Sequence, residues 1–365
     1  MDQPFENALR NVTRFSLSMF RNCETGENLT VSPLSVMAAL GMVLAGTDGE
    51  TKDELLAVLG NGIDEETFHE TLTAYLKSLP SSEDAELSFA DAVFVNKTMS
   101  VERKYVKATE SKYNAEIERL VFDEKAVKKI NAWVSKKTSG MIPEIIGSVV
   151  PEVMMYLINA LSFIGKWQTP YKPSDVEEDV FTALSGEERE ITAMCSQERI
   201  YLHNERCSGF IKPYRDSRYG FLAILPAEDA EFSDFVSELT DEFYLSLLQS
   251  AEGRKVAAMI PKFSMDYSTV LNGVLAKMGI EKAFLPGADF SRMTKDRLSI
   301  GEVIHKTHIE VDEEGTKAAA VTSVMLKTAG MPEPMPEVFL NRPFVFGIID
   351  TQCMIPLFLG TVTDL

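Results

Sequence analysis

One segment near the C-terminus has the pattern of a strand but is bounded by turn signals at both ends. It follows the acidic residues 312–314 and ends in the proline-rich stretch 331–336. Alternate positions between them are small or apolar, as on the buried face of a strand: Thr316, Ala318, Ala320, Thr322, Val324 and Leu326. A connection of about 25 residues without regular structure is usually functional or disordered. Since this composition argues against simple disorder, we expect a segment with two states, one exposed and one paired in a sheet.

The rest of the chain is a mixture of helices and strands. Apolar residues at helical spacing predict helices over residues 8–19, 34–45, 52–59, 68–79 and 271–278. Strand-forming runs occupy residues 86–95, 153–164, 219–225, 255–260, 298–311, 344–349 and 357–359. The run 153–164 is apolar on both faces, so it belongs in the middle of a covered sheet. No linker divides the chain, which predicts one α+β domain over residues 1–365.

The chain is acidic, with 36 Lys and Arg against 55 Asp and Glu and a formal net charge of −19. Contact with phosphates requires positive charge, so neither a nucleic acid nor an anionic membrane is an expected partner. The longest apolar run, 153–164, is too short for a membrane span of ~20 residues. Charged residues within 1–21 leave no apolar leader segment. We therefore expect a cytoplasmic protein, with extracellular release as the alternative.

Sequence motifs of catalysis are missing: no GxSxG, HExxH, Walker or GxGxxG pattern occurs. The four cysteines lack CxxC spacing, which predicts free thiols, although Cys195 and Cys207 could meet across a hairpin. Alternation along the strand 303–311 puts His305 on the apolar face and His308 on the other, so the two do not share a metal. We predict a protein that is not an enzyme and needs no metal or other cofactor.

Motifs in order from about residue 5 to residue 362 resemble the serpins, a family of serine protease inhibitors. They include Ser32-Pro33-Leu34-Ser35, Asn159-Ala160-Leu161-Ser162-Phe163-Ile164-Gly165-Lys166-Trp167, His305-Lys306 and Asn341-Arg342-Pro343-Phe344. The segment Glu313-Glu314-Gly315-Thr316-Lys317-Ala318-Ala319-Ala320 is similar to the family's hinge, where glycine gives the chain freedom to fold back. The early amphipathic helix and the missing leader resemble the intracellular, ovalbumin-like branch.

The resemblance implies three β-sheets, about eight or nine helices and an exposed reactive-centre loop over about 313–336. It also implies that a serine protease attacks the loop and forms an ester with it. The cut loop then inserts into the main sheet and traps the enzyme. The implied partner is thus a target serine protease, and the implied state is a monomer.

Individual roles follow from the resemblance, residue by residue. The polar cluster where the sheet opens is matched by Ser32, Ser35, Asn159 and His305. The alternative interpretation is that these are four buried polar groups that simply satisfy their hydrogen bonds. Trp167 matches the aromatic residue where insertion starts, and plain core packing is its alternative. The hinge comprises Glu314, Gly315, Thr316, Ala318, Ala319 and Ala320. Lys317 stands where the family usually has Glu, on the face that should be exposed to solvent after insertion.

The position of the reactive bond remains open between two choices. Counting from Glu313 predicts Ala329-Gly330, and the small Ala329 suits elastase-like proteases with a shallow specificity pocket. Lys327-Thr328 is the alternative and suits trypsin-like proteases. Met331-Pro332 is disfavoured, because proline after the bond blocks most serine proteases. We favour the first bond, since a loop that is too short cannot carry the protease far enough.

Two further predictions concern heparin and the class of function. The family's heparin-binding helix is basic, whereas residues 64–79 here hold Asp64, Glu65, Glu66, Glu70 and only Lys77, so heparin binding is not expected. A second basic stretch within 125–137 is interpreted as a solvated helix face. A non-inhibitory serpin that acts as a binding, carrier or chaperone-like protein is the alternative function. The small residues on the inward hinge face favour inhibition, because a charge there would have to be desolvated.

Overall fold

A computed structural model describes residues 3–316 and 335–365 of the chain, and of residues 3–8 it describes the backbone alone. Nine α-helices lie in these described ranges, within the predicted number: α1 Gln3–Cys23, α2 Pro33–Gly46, α3 Gly49–Gly60, α4 Glu65–Ser78, α5 Arg103–Tyr113, α6 Glu124–Lys137, α7 Phe232–Glu238, α8 Asp241–Gln249 and α9 Asn272–Lys277. Short 3₁₀ turns occupy Pro173–Asp175 and Lys282–Phe284. No helix in the described part of the chain is long and apolar enough to cross a membrane.

The strands form three sheets, as the resemblance implies. Sheet A has the order β11 Phe263–Val270, β12 Glu302–Val311, β4 Met155–Lys166, β2 Ala85–Asn96 and β3 Glu116–Leu120, with β13 Gly315–Thr316 beside β4. Sheet B has the order β1 Leu29–Val31, β16 Ile355–Val362, β15 Phe344–Asp350, β9 Tyr219–Pro226, β8 Cys207–Pro213 and β7 Ile200–His203. Sheet C has the order β14 Glu337–Phe339, β10 Val256–Pro261, β6 Glu188–Glu198 and β5 Val176–Thr182.

Helix α2 lies in the main core, between β4 of sheet A and β16 of sheet B. All its residues except Ala45 are buried, as expected for a helix that is apolar almost all round. The helix begins at Pro33, and the hydroxyl of Ser32 accepts a hydrogen bond from the Ser35 N–H at 3.4 Å. The cap therefore places both serines beneath sheet A.

A second, smaller core lies on the opposite face of sheet A, under α6. It contains Phe94 of β2, Ile130 of α6, Ile158 of β4 and Ile304 of β12. Sheet A is therefore covered on both faces, which explains why β4 is apolar on both sides. Any strand added to the middle of this sheet has to pass beneath α6.

Most predicted elements are confirmed, and two expectations are corrected. The strand predicted over 298–311 begins only at Glu302, because the Ile300 N–H donates to the Ala283 carbonyl and not to a strand. Cys195 lies on β6 of sheet C and Cys207 on β8 of sheet B, so they do not form a hairpin pair. All four cysteines are free, as predicted.

Candidate functional site

Strand β4 changes its partner along its length. Over Tyr156–Ser162 it runs parallel to β12, and near its C-terminal end, at Gly165 and Lys166, it pairs antiparallel with β13. We call the β4–β12 pairing the seam. The first residues of the hinge thus already form a short strand on β4, while β4 and β12 stay paired along the seam.

A tight turn reverses the chain between β12 and β13. The Asp312 carboxylate accepts hydrogen bonds from the N–H groups of Glu314 at 2.9 Å and Gly315 at 3.1 Å. Gly315 has a φ of +156°, and a Cβ on this residue would collide with the carbonyl oxygen of Gly165. Only glycine therefore fits where the two backbones approach this closely.

Trp167 fastens this turn to the end of β4. Its backbone N–H donates to the Glu314 carbonyl at 2.9 Å, and its indole Nε1–H donates to the Asp312 carbonyl at 2.9 Å. The indole stacks on the ring of Tyr214, with centroids 4.6 Å apart. The Tyr214 hydroxyl lies 2.8 Å from Oγ1 of the fully buried Thr316. These contacts hold the start of the hinge in a defined position.

Two ion pairs lie on either side of the contact between Trp167 and the turn that joins β12 to β13. On the surface, Lys262 Nζ lies 2.9 Å from the carboxylate of Glu313, and this hydrogen bond lowers the pKa of Glu313. In the interior, Lys212 Nζ lies 2.8 Å from Glu198 Oε1 and 5.3 Å from the centroid of the Trp167 ring. Burial lowers the pKa of Lys212 although Glu198 opposes the shift. The buried pair forms part of the rigid support of Trp167.

A polar cluster crosses the centre of the seam. His305 of β12 lies opposite Asn159 of β4, and both are fully buried. The Ser32 N–H donates to His305 Nε2 at 3.0 Å, so the ring proton is on Nδ1 and donates to Asn159 Oδ1 at 2.5 Å. The Asn159 amide donates in turn to the Ser35 hydroxyl. Burial lowers the pKa of His305 to about 3, so the imidazole is neutral at physiological pH.

The structure brings together four of the five residues predicted to act where the sheet opens. Ser32, Ser35, Asn159 and His305 are hydrogen-bonded to one another, whereas Trp167 lies at the C-terminal end of β4 beside the hinge. Sequence reasoning missed Tyr214, Lys212 and also Asp91, which accepts a hydrogen bond from Asn159. A carboxylate carries no signal in a chain with 55 acidic residues.

Part of the predicted site lies outside the described residues. It comprises the hinge residues Ala318, Ala319 and Ala320 with Lys317, and both candidate bonds, Ala329-Gly330 and Lys327-Thr328. Glu314, Gly315 and Thr316 are described, at the junction of β12, β13 and β4. Among the side chains that the structure describes, 9–316 and 335–365, no group of three or more His, Cys, Asp or Glu is placed to hold a metal ion.

Comparison with known sequences identifies the class of protein. A family profile described as "Serpin (serine protease inhibitor)" matches residues 10–365. Iripin-2 of Ixodes ricinus is 32% identical over 369 residues, covering 96% of this chain and 92% of its own. The chain therefore belongs to the serpin family, whose members are grouped as protease inhibitors.

Solved structures agree with this assignment. The thermophilic serpin tengpin in its native state superposes with a TM-score of 0.94 at 39% identity, covering 100% of this chain and 95% of the other. In its latent state tengpin gives a TM-score of 0.88 at 36% identity, covering 100% and 99%. Human thyroxine-binding globulin complexed with its ligand gives a TM-score of 0.90 at 24% identity, covering 99% of both chains, a likeness in fold alone. The structure therefore has the serpin fold.

Proposed function

We propose that this protein inhibits a serine protease by covalent trapping, with insertion of its cut loop into sheet A between β4 and β12. The observation that carries the proposal is the change of partner along β4, which pairs with β13 at its end and with β12 along the seam. Strand addition uses the same backbone hydrogen bonds that hold the existing sheet. A loop that starts as β13 can extend this pairing along β4 once β4 and β12 part, and the sheet then gains a full central strand.

The chemistry is that of an interrupted proteolysis. The serine of the protease attacks the carbonyl of the reactive bond, and an ester to that carbonyl replaces the amide as the new amine leaves. Insertion of the freed strand then carries the esterified protease away before water can hydrolyse the ester. The driving force is the stability gained when the strand enters the sheet, so the trap is kinetic and consumes the inhibitor.

The inward face of the hinge supports insertion. Thr316 is buried against Tyr214. Along the sequence, the alternation that starts at Thr316 continues with Ala318, Ala320 and Thr322. Small residues at these positions need no charge to be desolvated as the strand enters a covered sheet.

For the target, we propose an elastase-like serine protease cleaving Ala329-Gly330. Ala329 is the residue reached by counting from Glu313, and a small side chain fits a shallow specificity pocket. A trypsin-like protease cleaving Lys327-Thr328 is the alternative. We further propose a monomer that acts in the cytoplasm without heparin.

The test is incubation with elastase-like and trypsin-like proteases. The proposal predicts a complex that resists denaturant, together with a released C-terminal peptide whose mass shows a start at Gly330. A peptide starting at Thr328 would select the trypsin-like alternative. Cleavage by every protease tried, with no stable complex, would contradict inhibition and support a binding or carrier role.

A further inference from the structure

Asp91 is a carboxylate attached to the polar cluster at the centre of the seam. It lies on β2, opposite Asn159 of β4 in the sheet register. Asn159 Nδ2 donates a hydrogen bond to Asp91 Oδ1 at 2.5 Å, and the Ser35 hydroxyl also bonds to this carboxylate. Asp91 therefore contacts two of the residues that hold β4 against β12.

The Asn159 side chain links this carboxylate to the histidine across the seam. The amide is planar, so the NH₂ that donates to Asp91 and the oxygen that accepts from His305 move together. A change in the hydrogen bond between Asp91 and the NH₂ must therefore alter the hydrogen bond between Asn159 and His305. Among the described residues, this is the only side-chain hydrogen bond of the cluster that joins β4 directly to β12. The connection runs through three side chains, Asp91, Asn159 and His305.

Few charged groups face Asp91. Helix α2 carries no ionisable side chain. From α5, on the far side of α2, only Tyr105 and Tyr113 point this way. Burial raises the pKa of each tyrosine, so both stay neutral. On β12, His305 is the ionisable residue of this face, since alternation puts Glu302, Lys306, His308 and Glu310 on the other face. On β4, Tyr156 packs in the core under α6, and Lys166 pairs with Asp84 at the strand end. On the side of β3, Ala115, which precedes the strand, and Ile117 are uncharged, and Glu116 bonds to Trp133 of α6 on the other face of the sheet.

Ionised Asp91 is consequently a partly buried anion without a cation beside it. Its two hydrogen-bond donors offset only part of the cost of removing the carboxylate from water. Burial raises the pKa of Asp91 to about 7, and the hydrogen bonds from Asn159 and Ser35 oppose this shift. Parting the strands would admit water to the cluster and return the carboxyl towards its ordinary pKa of about 3.9.

We propose that Asp91 is a positioning residue of the seam whose ionisation eases the parting of β4 and β12, so that loop insertion speeds up as the carboxyl loses its proton. This inference rests on the proposed insertion mechanism. The closed sheet favours the protonated acid and the open sheet favours the anion. Opening is therefore least favourable below about pH 4, becomes easier as the pH rises, and levels off above about pH 7.

The size of the effect follows from the two protonation equilibria. With an Asp91 pKa of about 7 in the closed sheet and an ordinary pKa of about 4 in the open sheet, the open population rises about tenfold between pH 6 and pH 8. His305 does not contribute in this range, because its pKa is lowered to about 3. The Asp91→Asn variant keeps the shape and both hydrogen-bond contacts but cannot ionise, so it should insert slowly and at the same rate at both pH values.

The experiment measures strand insertion directly in the full-length protein. An acetylated peptide with the sequence of residues 315–326 is fluorescently labelled, and the rate at which the protein incorporates it is followed from pH 5 to pH 9. This peptide has no group that titrates between pH 6 and pH 8. We expect a rise of about tenfold between pH 6 and pH 8 for the natural protein and a flat profile for Asp91→Asn. Glu86→Gln, a change on the same strand but on the other face, is the matched control and should keep the rise.

Each outcome decides a different claim. Failure of the natural protein to take up the peptide at any pH would overturn the insertion mechanism itself. Uptake with a flat profile, or a rise that persists in Asp91→Asn, would overturn the role of Asp91 and leave insertion intact. If Asp91→Asn does not fold, Asp91→Ser removes the same carboxyl and must give the flat profile. Asp91→Glu retains a carboxyl and must retain a pH-dependent rate.

Discussion

The hydroxyl oxygen of Thr316 lies 2.8 Å from the hydroxyl oxygen of Tyr214, and both side chains are fully buried. This contact joins the hinge to β8–β9 of sheet B, behind the end of β4. Tyr214 also stacks on Trp167, whose indole binds the turn at Asp312. The start of the hinge is thus inside the molecule before any protease has cut the loop.

Thr316→Arg should abolish the proposed trapping and leave a protein that proteases simply cleave. The guanidinium would have to enter the space beside Tyr214 without water, and an unpaired buried charge is costly. We expect the yield of denaturant-resistant complex to fall at least about tenfold while loop cleavage continues. Gel analysis after protease addition measures both. Thr316→Ser, which retains the hydroxyl, should trap normally, and undiminished trapping by Thr316→Arg would rule out insertion as the mechanism.

Gly315→Ala should displace the hinge from β4. A Cβ at this position would collide with the carbonyl of Gly165, so the turn must move and the contacts of Thr316 and Trp167 must weaken. The emission of Trp167 should shift to longer wavelength in a Trp133→Phe background, where it is the remaining tryptophan. Gly253→Ala is the control, because a Cβ there meets nothing within 4 Å. Identical spectra for the two variants would contradict this account of the hinge.

His305→Gln should make the protein more resistant to acid. Burial lowers the pKa of His305 to about 3 from an ordinary value of about 6.5. The imidazole therefore binds a proton more readily in the unfolded chain than in the folded one. The free energy of unfolding thus decreases as the pH falls from about 6.5 towards 3, by up to about 1.4 kcal/mol per pH unit. Glutamine can replace both hydrogen bonds without this penalty.

The measurement for His305→Gln is the midpoint of acid denaturation by circular dichroism between pH 7 and pH 3. The midpoint should move to lower pH. His203→Gln is the matched control, because His203 is exposed on sheet B and should leave the midpoint unchanged. An unchanged midpoint in His305→Gln would mean that acid denaturation is controlled elsewhere.

Heparin should not bind along α4. The helix has Glu65 and Glu66 in its first turn and Lys77 as the basic residue of its last turn, so its field repels a polyanion. We expect elution from a heparin column below physiological salt. Retention would contradict this prediction. Neutralising Lys125, Lys128 and Lys136 on the exposed face of α6 would then show whether the second basic stretch is responsible.

Local patterns were sufficient to predict helices α1 to α4 and α9 and the most apolar strands, such as β4, β9 and β15, whereas α5, α7 and α8 were not predicted. The apolar residues of α2 and the two-sided apolar run of β4 each predict their own environment, because periodicity reports which faces are covered. The alternation around His305 likewise predicts its burial. Strands such as β6 were missed, since its sequence mixes Glu188, Arg189 and Glu190 with apolar residues and lacks a clean alternation.

The candidate site was less predictable, because its contacts join distant parts of the chain. Motif matching selected Ser32, Ser35, Asn159 and His305, but nothing local marks Asp91 or Tyr214 as their neighbours. Lys212 belongs to an ordinary strand sequence, and only the fold brings it to Glu198 in the interior. Contacts of this kind depend on sheet order and register, which sequence periodicity does not determine.

The most direct test of loop insertion is the thermal unfolding of the protein before and after its loop is cut. A protease that is not trapped cleaves within residues 317–334, and circular dichroism follows both samples. Insertion adds a central strand to sheet A, and we predict that the midpoint rises by about 10 °C or more, which for a chain of this size corresponds to at least about 8 kcal/mol. An unchanged or lower midpoint after cleavage would contradict the account.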